Sequence, residues 1–242
     1  MSDLLIDVGN SRLKWAYAEF DQLGPVTALG HDGTPAAVLA AIDGPAPTTV
    51  WVANVTGATH HAALAEAIQA RYGLVAHFAA TQAECSGLRV AYPDAARLGV
   101  DRWLALLAAW NRHGAACVAS CGTALTFDAV DQNGQHLGGV IAPGLLTAQQ
   151  AVLGATRFPS RGPDDDYVAG LGTDTEACVR QGALHACAGL VERLADRHAG
   201  TPLLLTGGDA ERLRPHLRGD VSVIPDLVLQ GLLALARSQG LI

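Results

Sequence analysis

The run Asp7-x-Gly9-Asn10-Ser11-x-x-Lys14 gathers a carboxylate, a glycine, two small polar side chains and an ammonium into eight residues. Gly9 lets backbone amides come close to an anion, and Asn10 and Ser11 add donors beside them. Lys14, across a short hairpin, reaches a terminal phosphate. Asp7 suits a magnesium ion bound to those phosphates, because such a cation keeps several waters and takes only one or two protein carboxylates. Lys14 is also the single lysine among 16 basic residues, a place for a compact ammonium rather than a planar guanidinium fork. With no lysine behind a glycine-rich run, a Walker A loop is excluded. A second constellation, Leu98-Gly99-Val100-Asp101-Arg102, sets a carboxylate and a guanidinium at the mouth of an apolar helix. There Asp101 can accept a hydroxyl proton during phosphoryl transfer while Arg102 holds a substrate carboxylate. The plainer alternative is a helix cap beside a solvent-facing arginine. Tyr92, just before Pro93, is either pocket wall or core.

These residues need elements to carry them. Leu4–Asp7 reads as a buried strand, and Leu13–Ala18 alternates as its antiparallel partner. Val50–Val55 reads as another strand, followed by a helix over about Thr59–Tyr72 that Gly73 closes. The apolar stretch Asp101–Trp110 is helical by propensity and stops at Gly114. The chain then restarts. Setting Asp7-Val8-Gly9-Asn10-Ser11 over Ser120-Cys121-Gly122-Thr123-Ala124 gives one pattern twice: strand, polar residue, any residue, glycine, amide or hydroxyl, small residue, strand. Two similar α/β halves follow, 1–114 and 115–242. The second adds a strand over Gln135–Ile141, helices near Thr147–Leu153 and Thr175–Arg197, a strand over Pro202–Leu205 ending at Thr206-Gly207-Gly208-Asp209, and a helix over about Asp226–Arg237. Any single glycine turn is ordinary. Glycines at three strand ends, Gly9, Gly122 and Gly207-Gly208, point instead to a nucleotide cradle.

Composition narrows the class. The 242 residues are 50% hydrophobic and 16% charged, which excludes disorder and a coiled coil, and a net charge of -7 leaves no broad basic face for nucleic acid. The uncharged runs Trp103–Trp110 and Leu227–Ala236 fall far short of the ~20 residues that a membrane span needs. From Met1 the chain enters an apolar strand without the basic segment of a signal peptide, so a cytoplasmic location is expected. Cys85, Cys117, Cys121, Cys178 and Cys187 form no CxxC pair and are read as small buried hydrophobes. His60-His61 and His185 with Cys187 lack the partners for a tetrahedral set, so no structural metal is expected. Asp128 has no firm role, and Asp164-Asp165-Asp166 reads as a solvated loop.

Taken in order, Asp7-x-Gly9-Asn10-Ser11-x-x-Lys14, Gly99-x-Asp101-Arg102, Gly122-Thr123-Ala124-x-Thr126, Gly138-Gly139-x-Ile141-x-Pro143-Gly144 and Thr206-Gly207-Gly208 resemble the type III pantothenate kinase family from end to end. The resemblance implies an α/β fold of the actin-like ATPase (sugar kinase) superfamily, two ribonuclease H-like domains around a central cleft, and a homodimer. It implies transfer of the ATP γ-phosphoryl group to pantothenate, giving 4'-phosphopantothenate on the way to coenzyme A. By the family's pattern, Asp7, Val8, Gly9, Asn10, Ser11, Arg12, Leu13 and Lys14 bind ATP phosphates with Mg2+, and Thr123 joins them. Asp101 is then the general base. Tyr92, Gly99, Val100, Asp101 and Arg102 match the pantothenate pocket, with Thr175 supplied near the dimer interface. One residue departs from the pattern: the family often places an aspartate two residues before the second hairpin's glycine to bind K+ or NH4+, and here Ser120 brings no charge. Relatives resembling accessory factors for virulence-gene transcription, and kinases for other small hydroxy acids, share the phosphate motifs and remain open alternatives.

Overall fold

Strand β1 (Ser2–Val8) is the spine of the first sheet, and its apolar residues explain why. Leu4, Leu5, Ile6 and Val8 are all fully buried, each a gain of about 1.5–3 kcal/mol over exposure. In the computed structural model, which describes residues 2–19, 22–157, 162 and 164–240, this strand pairs antiparallel with β2 (Arg12–Glu19). The short strands β3 (Gln22–Leu23) and β4 (Thr27–Gly30) both lie on the far side of β2. On the other side of β1, β5 (Val50–Asn54) and β6 (His77–Phe78) run parallel to it. Side chains alternate across a strand. Leu4, Ile6 and Val8 therefore meet Leu64 and Ile68 of α2 (Ala58–Tyr72), behind the short α1 (Pro35–Val38), in one core. Gly73, left-handed at φ 69°, closes α2 as expected. The hairpin β7 (Glu84–Cys85) and β8 (Leu88–Arg89) leads on to α3 (Val100–His113), buried along Arg102–Ala109.

The second sheet repeats the plan with β9 (Ala116–Cys121), β10 (Ala124–Val130), β11 (His136–Pro143), β12 (Leu203–Thr206) and β13 (Val221–Val223). Its order is β11-β10-β9-β12-β13, with β10 antiparallel to β9 and both β12 pairings parallel. The first sheet has the same order from its centre outward, with β3 and β4 sharing the place that β11 takes in the second. The repeat at Asp7–Ser11 and Ser120–Ala124 is thus a repeat of topology, the ribonuclease H-like sheet twice. Helices α4 (Leu145–Ala155), α5 (Thr175–Ala195) and α6 (Ala210–Leu213) complete this half. Leu184, Cys187 and Val191 of α5 pack with Cys117, Leu125, Phe127 and Leu205. Four of the five cysteines are buried and Cys178 is exposed; burial pushes the Cys121 thiol up to about 12, far from a reactive thiolate. The acidic loop is more than solvated: buried Gln149 donates to the Asp164 carbonyl at 2.8 Å, Arg180 pairs with Asp164 at 2.9 Å, and Arg212 with Asp165 at 2.7 Å.

The division of the chain is interleaved rather than a single cut after Gly114. One compact unit is Met1–Gly114 with Asn133–His136 and Asp226–Ile242; the other is Ala115–Gln132 with Leu137–Pro225. Helix α7 (Leu227–Ser238) belongs to the first because it packs on α3 and on β1 and β5. The two helices cross where Gly231 has no side chain: a Cβ there would stand 2.0 Å from the Leu104 carbonyl oxygen.

Gly231→Ala must therefore push the backbones of α3 and α7 apart, and we expect a loss of about 3 kcal/mol, read as a drop of about 6–12 °C in Tm. Gly189→Ala in α5, where a Cβ would meet nothing, should instead stabilise slightly.

Candidate active site

The register of the first sheet sets Asp7 directly opposite Lys14 on β2 and Ala53 on β5. All three project from the face that Leu5 shares, toward the layer holding α3 and α7. Ala53, on β5 beside Asp7, is small and buried. Asp7 and Lys14 are half-buried, and Asp101, in the first turn of α3, lies near enough to act on Asp7. Burial pushes the Asp7 carboxyl from its ordinary 3.8 to about 7; the negative charge of Asp101 adds to the rise and Lys14 opposes it. This position holds one negative charge reluctantly, and a divalent cation beside it would favour the carboxylate. Among the described residues no group of three or more His, Cys, Asp or Glu forms a metal cage. A lone aspartate fits magnesium carried in by phosphates, whose remaining ligands are water.

The turn between β1 and β2 is closed by the Gly9 amide, which donates to the Arg12 carbonyl at 3.0 Å. Asn10, Ser11 and Arg12 are exposed at its tip, while Val8 and Leu13, also expected to bind ATP, are fully buried and are not open to a ligand. A residue that no motif marks also touches this turn. His31, just past β4, donates its amide to the Ser11 carbonyl at 3.1 Å, and its ring Nε2 lies 2.8 Å from the Gly9 carbonyl. Because β4 is four exposed residues without alternation, no pattern in the sequence reveals it.

At the start of α3, Gly99 is the N-cap and its carbonyl accepts from the Trp103 amide at 3.0 Å. The Asp101 Oδ1 accepts from the Arg102 amide at 2.8 Å, folding the carboxylate back over the helix N-terminus. A Cβ on Gly99 would lie 2.8 Å from that same oxygen, so the glycine makes room for the carboxylate. The positive end of the helix favours the ionised form. Arg102 is only 8% exposed, not solvent-facing, and its Nη1 donates to the Tyr92 hydroxyl at 3.3 Å. Tyr92 in turn stacks on fully buried His136, whose Nδ1 accepts from the Ala91 amide at 3.4 Å. Tyr92, Gly99, Val100, Asp101 and Arg102 are thereby one continuous structure, and His136 is a support that no sequence motif marks.

The second unit gathers its own turns at the end of β9. The Gly144 amide and the Thr147 hydroxyl both donate to the Thr123 carbonyl, at 3.0 and 2.6 Å. Gly207, at φ 93°, approaches so closely that a Cβ would meet the Cys121 carbonyl at 2.2 Å, and the Asp209 amide donates to that carbonyl at 3.0 Å. Gly207 thus meets the end of β9 at Cys121, next to Gly122, and Thr123 is exposed in the turn that follows. Ser120, half-buried, pairs with Thr126 and Thr206 across the sheet, both neutral hydroxyl residues. Thr175 is exposed in the first turn of α5, behind an Asp174 cap whose side chain accepts from the Ala177 amide. His60, His61 and His185 are engaged locally, with the Thr56 carbonyl, the Phe78 ring and the Gly170 carbonyl.

Comparison with known proteins gives one consistent answer. The family model for type III pantothenate kinase matches residues 3–197. The type III pantothenate kinase of Stenotrophomonas maltophilia (strain R551-3) is 39% identical over 238 residues, covering 96% of each chain. Among solved structures, a Campylobacter jejuni protein described as a conserved Baf family transcriptional activator aligns over 99% of this chain and 100% of its own, with TM-score 0.61 at 20% identity. The (R)-2-hydroxyglutaryl-CoA dehydratase component A of Acidaminococcus fermentans aligns over 98% and 96%, with TM-score 0.56 at 13% identity. At those identities the solved structures carry the fold alone, the two-fold repeat of an actin-like, sugar kinase-like α/β unit.

The raised Asp7 pKa has a consequence for stability. Between about pH 4 and 7 the folded chain keeps a proton that the unfolded chain has released, so stability falls as pH rises through that window. In buffer free of magnesium and nucleotide, Asp7→Asn should melt several degrees above the parent at pH 8, with the gap narrowing toward pH 5. A gap independent of pH would contradict the charge arrangement.

Proposed function

Because the chain belongs to the type III pantothenate kinase family, it is a kinase that moves the γ-phosphoryl group of ATP to pantothenate, and we propose how its residues share that work. Asp101 is the general base: its carboxylate accepts the proton of the pantothenate primary hydroxyl as that oxygen attacks the γ-phosphorus and ADP departs. Backbone amides and side chains of Gly9, Asn10, Ser11 and Arg12, together with Thr123, take the ATP phosphates. Lys14 neutralises their charge, and Asp7 is the carboxylate for magnesium, held directly or through water. The ion, when bound, supplies charge neutralisation across the phosphates. Arg102, steadied by Tyr92, takes the anionic end of pantothenate, with Gly99, Val100 and Thr175 completing the pocket. The observation that carries this reading is that Asp7, Lys14 and Asp101 share one electrostatic environment within a single compact unit. A phosphate site and a base for an alcohol then lie side by side.

Three finer points belong to the same proposal. Dimerisation is supported by apolar side chains left open on the second unit: Leu137 and Ile141 on the outer strand β11, Leu146 and Val152 on α4, and Leu171 at 92% exposure. Ser120 and its threonine neighbours give no carboxylate for K+ or NH4+, so any such ion would rest on neutral oxygens and be held weakly. A cytoplasmic setting agrees with the absence, among the described residues, of a helix long and apolar enough to cross a membrane.

Asp101→Asn should lower pantothenate-dependent ADP release by about 10²–10⁴-fold while Mg-ATP binding persists. Unchanged turnover would remove Asp101 from the mechanism. Gly99→Ala, which pushes only on the Asp101 carboxylate, should lower kcat about 10–100-fold with little change in Tm; an equal loss of Tm would make Gly99 a merely structural residue.

A further inference from the structure

We propose that His31 is a positioning residue for ATP, holding the turn after β1 so that its backbone amides face the phosphates. The inference rests on the reading of Gly9–Arg12 as the phosphate site. Pairing of Arg12 with Gly30 brings the end of β4 alongside that turn. From there His31 takes two of its carbonyls: its amide donates to Ser11 O at 3.1 Å, and its ring Nε2–H donates to Gly9 O at 2.8 Å. The ring is itself fixed, because the Gly33 amide donates to Nδ1 at 3.3 Å. That short reach back is possible because Gly33 has φ 97°, a left-handed conformation. With Nδ1 used as an acceptor, the ring proton stays on Nε2, where Gly9 O needs it. The Asp32 side chain, accepting from the Thr34 hydroxyl at 2.5 Å, ties the same loop together.

Peptide geometry carries the consequence to the ligand. In a trans peptide the C=O and the following N–H point in opposite directions, and no peptide among the described residues is cis. Anchoring Gly9 O on the imidazole therefore turns the Asn10 N–H away from His31, and anchoring Ser11 O turns the Arg12 N–H away from β4. Two carbonyl oxygens that would repel a phosphate are occupied by His31, and the amides that follow them face away from it. A donor array fixed before the ligand arrives loses less ordering entropy on binding. His31 is thus not a catalytic residue: it acts through Gly9 and Ser11, on ATP and not on pantothenate.

The test is a steady-state comparison of the full-length parent with His31→Ala, His31→Gln and Lys14→Ala. His31→Ala should raise the KM for ATP about tenfold, with the KM for pantothenate within twofold and Tm within about 2 °C. His31→Gln, whose amide nitrogen can donate to Gly9 O, should recover most of the loss. Lys14→Ala should also raise the KM for ATP, because it removes a phosphate ligand outright. If Lys14→Ala behaves so while His31→Ala leaves the KM for ATP within twofold, the positioning role is overturned. Equal rises for both substrates, or a rise that glutamine does not relieve, overturn it too. If neither variant changes the KM for ATP, the phosphate reading of the turn fails and the role of His31 falls with it.

Discussion

Asp7, Lys14 and Asp101 form a charge cluster at the end of the first sheet, and the surrounding structure is arranged around the difficulty of keeping them there. A carboxylate near apolar strands, with a second carboxylate acting on it and a single ammonium opposing, is costly to keep ionised. Burial is the main cause, pushing the carboxyl up to about 7. A magnesium ion with a polyphosphate would relieve that cost, because the cation neutralises Asp7 while the phosphates engage Lys14. Asp101 would then stand at the helix end beside a phosphate site whose charge is balanced.

The fold supplies this cluster by placing small residues where backbones or carboxylates need room. Gly99 makes way for the Asp101 carboxylate, and Gly231 lets α7 lie close on α3. The apolar length of α3 anchors Asp101 and Arg102 rigidly, since Arg102–Ala109 are buried in succession. Tyr92 and His136 add a lateral brace to the guanidinium. In the second unit the same logic recurs, with Gly144 and Gly207 pressing against the carbonyls of Gly122 and Cys121.

Much of this is legible in the sequence, for physical reasons that differ from residue to residue. The hairpin bearing Asp7 and Lys14 is visible because a buried strand and an alternating strand flank a glycine turn. Gly73 and Gly114 mark the ends of α2 and α3, and the repeat of the hairpin motif foretells two sheets of one topology. What stays hidden depends on tertiary pairing. Periodicity identifies α7 as a helix and says nothing of which sheet it returns to. His31 follows a strand too short and too exposed to alternate, so its bonds to Gly9 and Ser11 leave no local trace. Asp164 and Asp165 look like solvated charges until Gln149, Arg180 and Arg212 fold over them from distant positions. Burial of Arg102 likewise follows from the packing of α3 as a whole.

The central claim is that burial holds the Asp7 carboxyl well above the usual carboxylate range, up to about 7, and that a cation with phosphates reverses this. Calorimetric titration of preformed Mg-ATP into the protein at pH 7, in two buffers of different ionisation enthalpy, counts protons directly. With the Asp7 carboxyl at about 7, roughly half a proton per site should be released on binding, and Asp7→Asn should abolish that release. Binding without proton release, or with the same release in Asp7→Asn, would contradict the account.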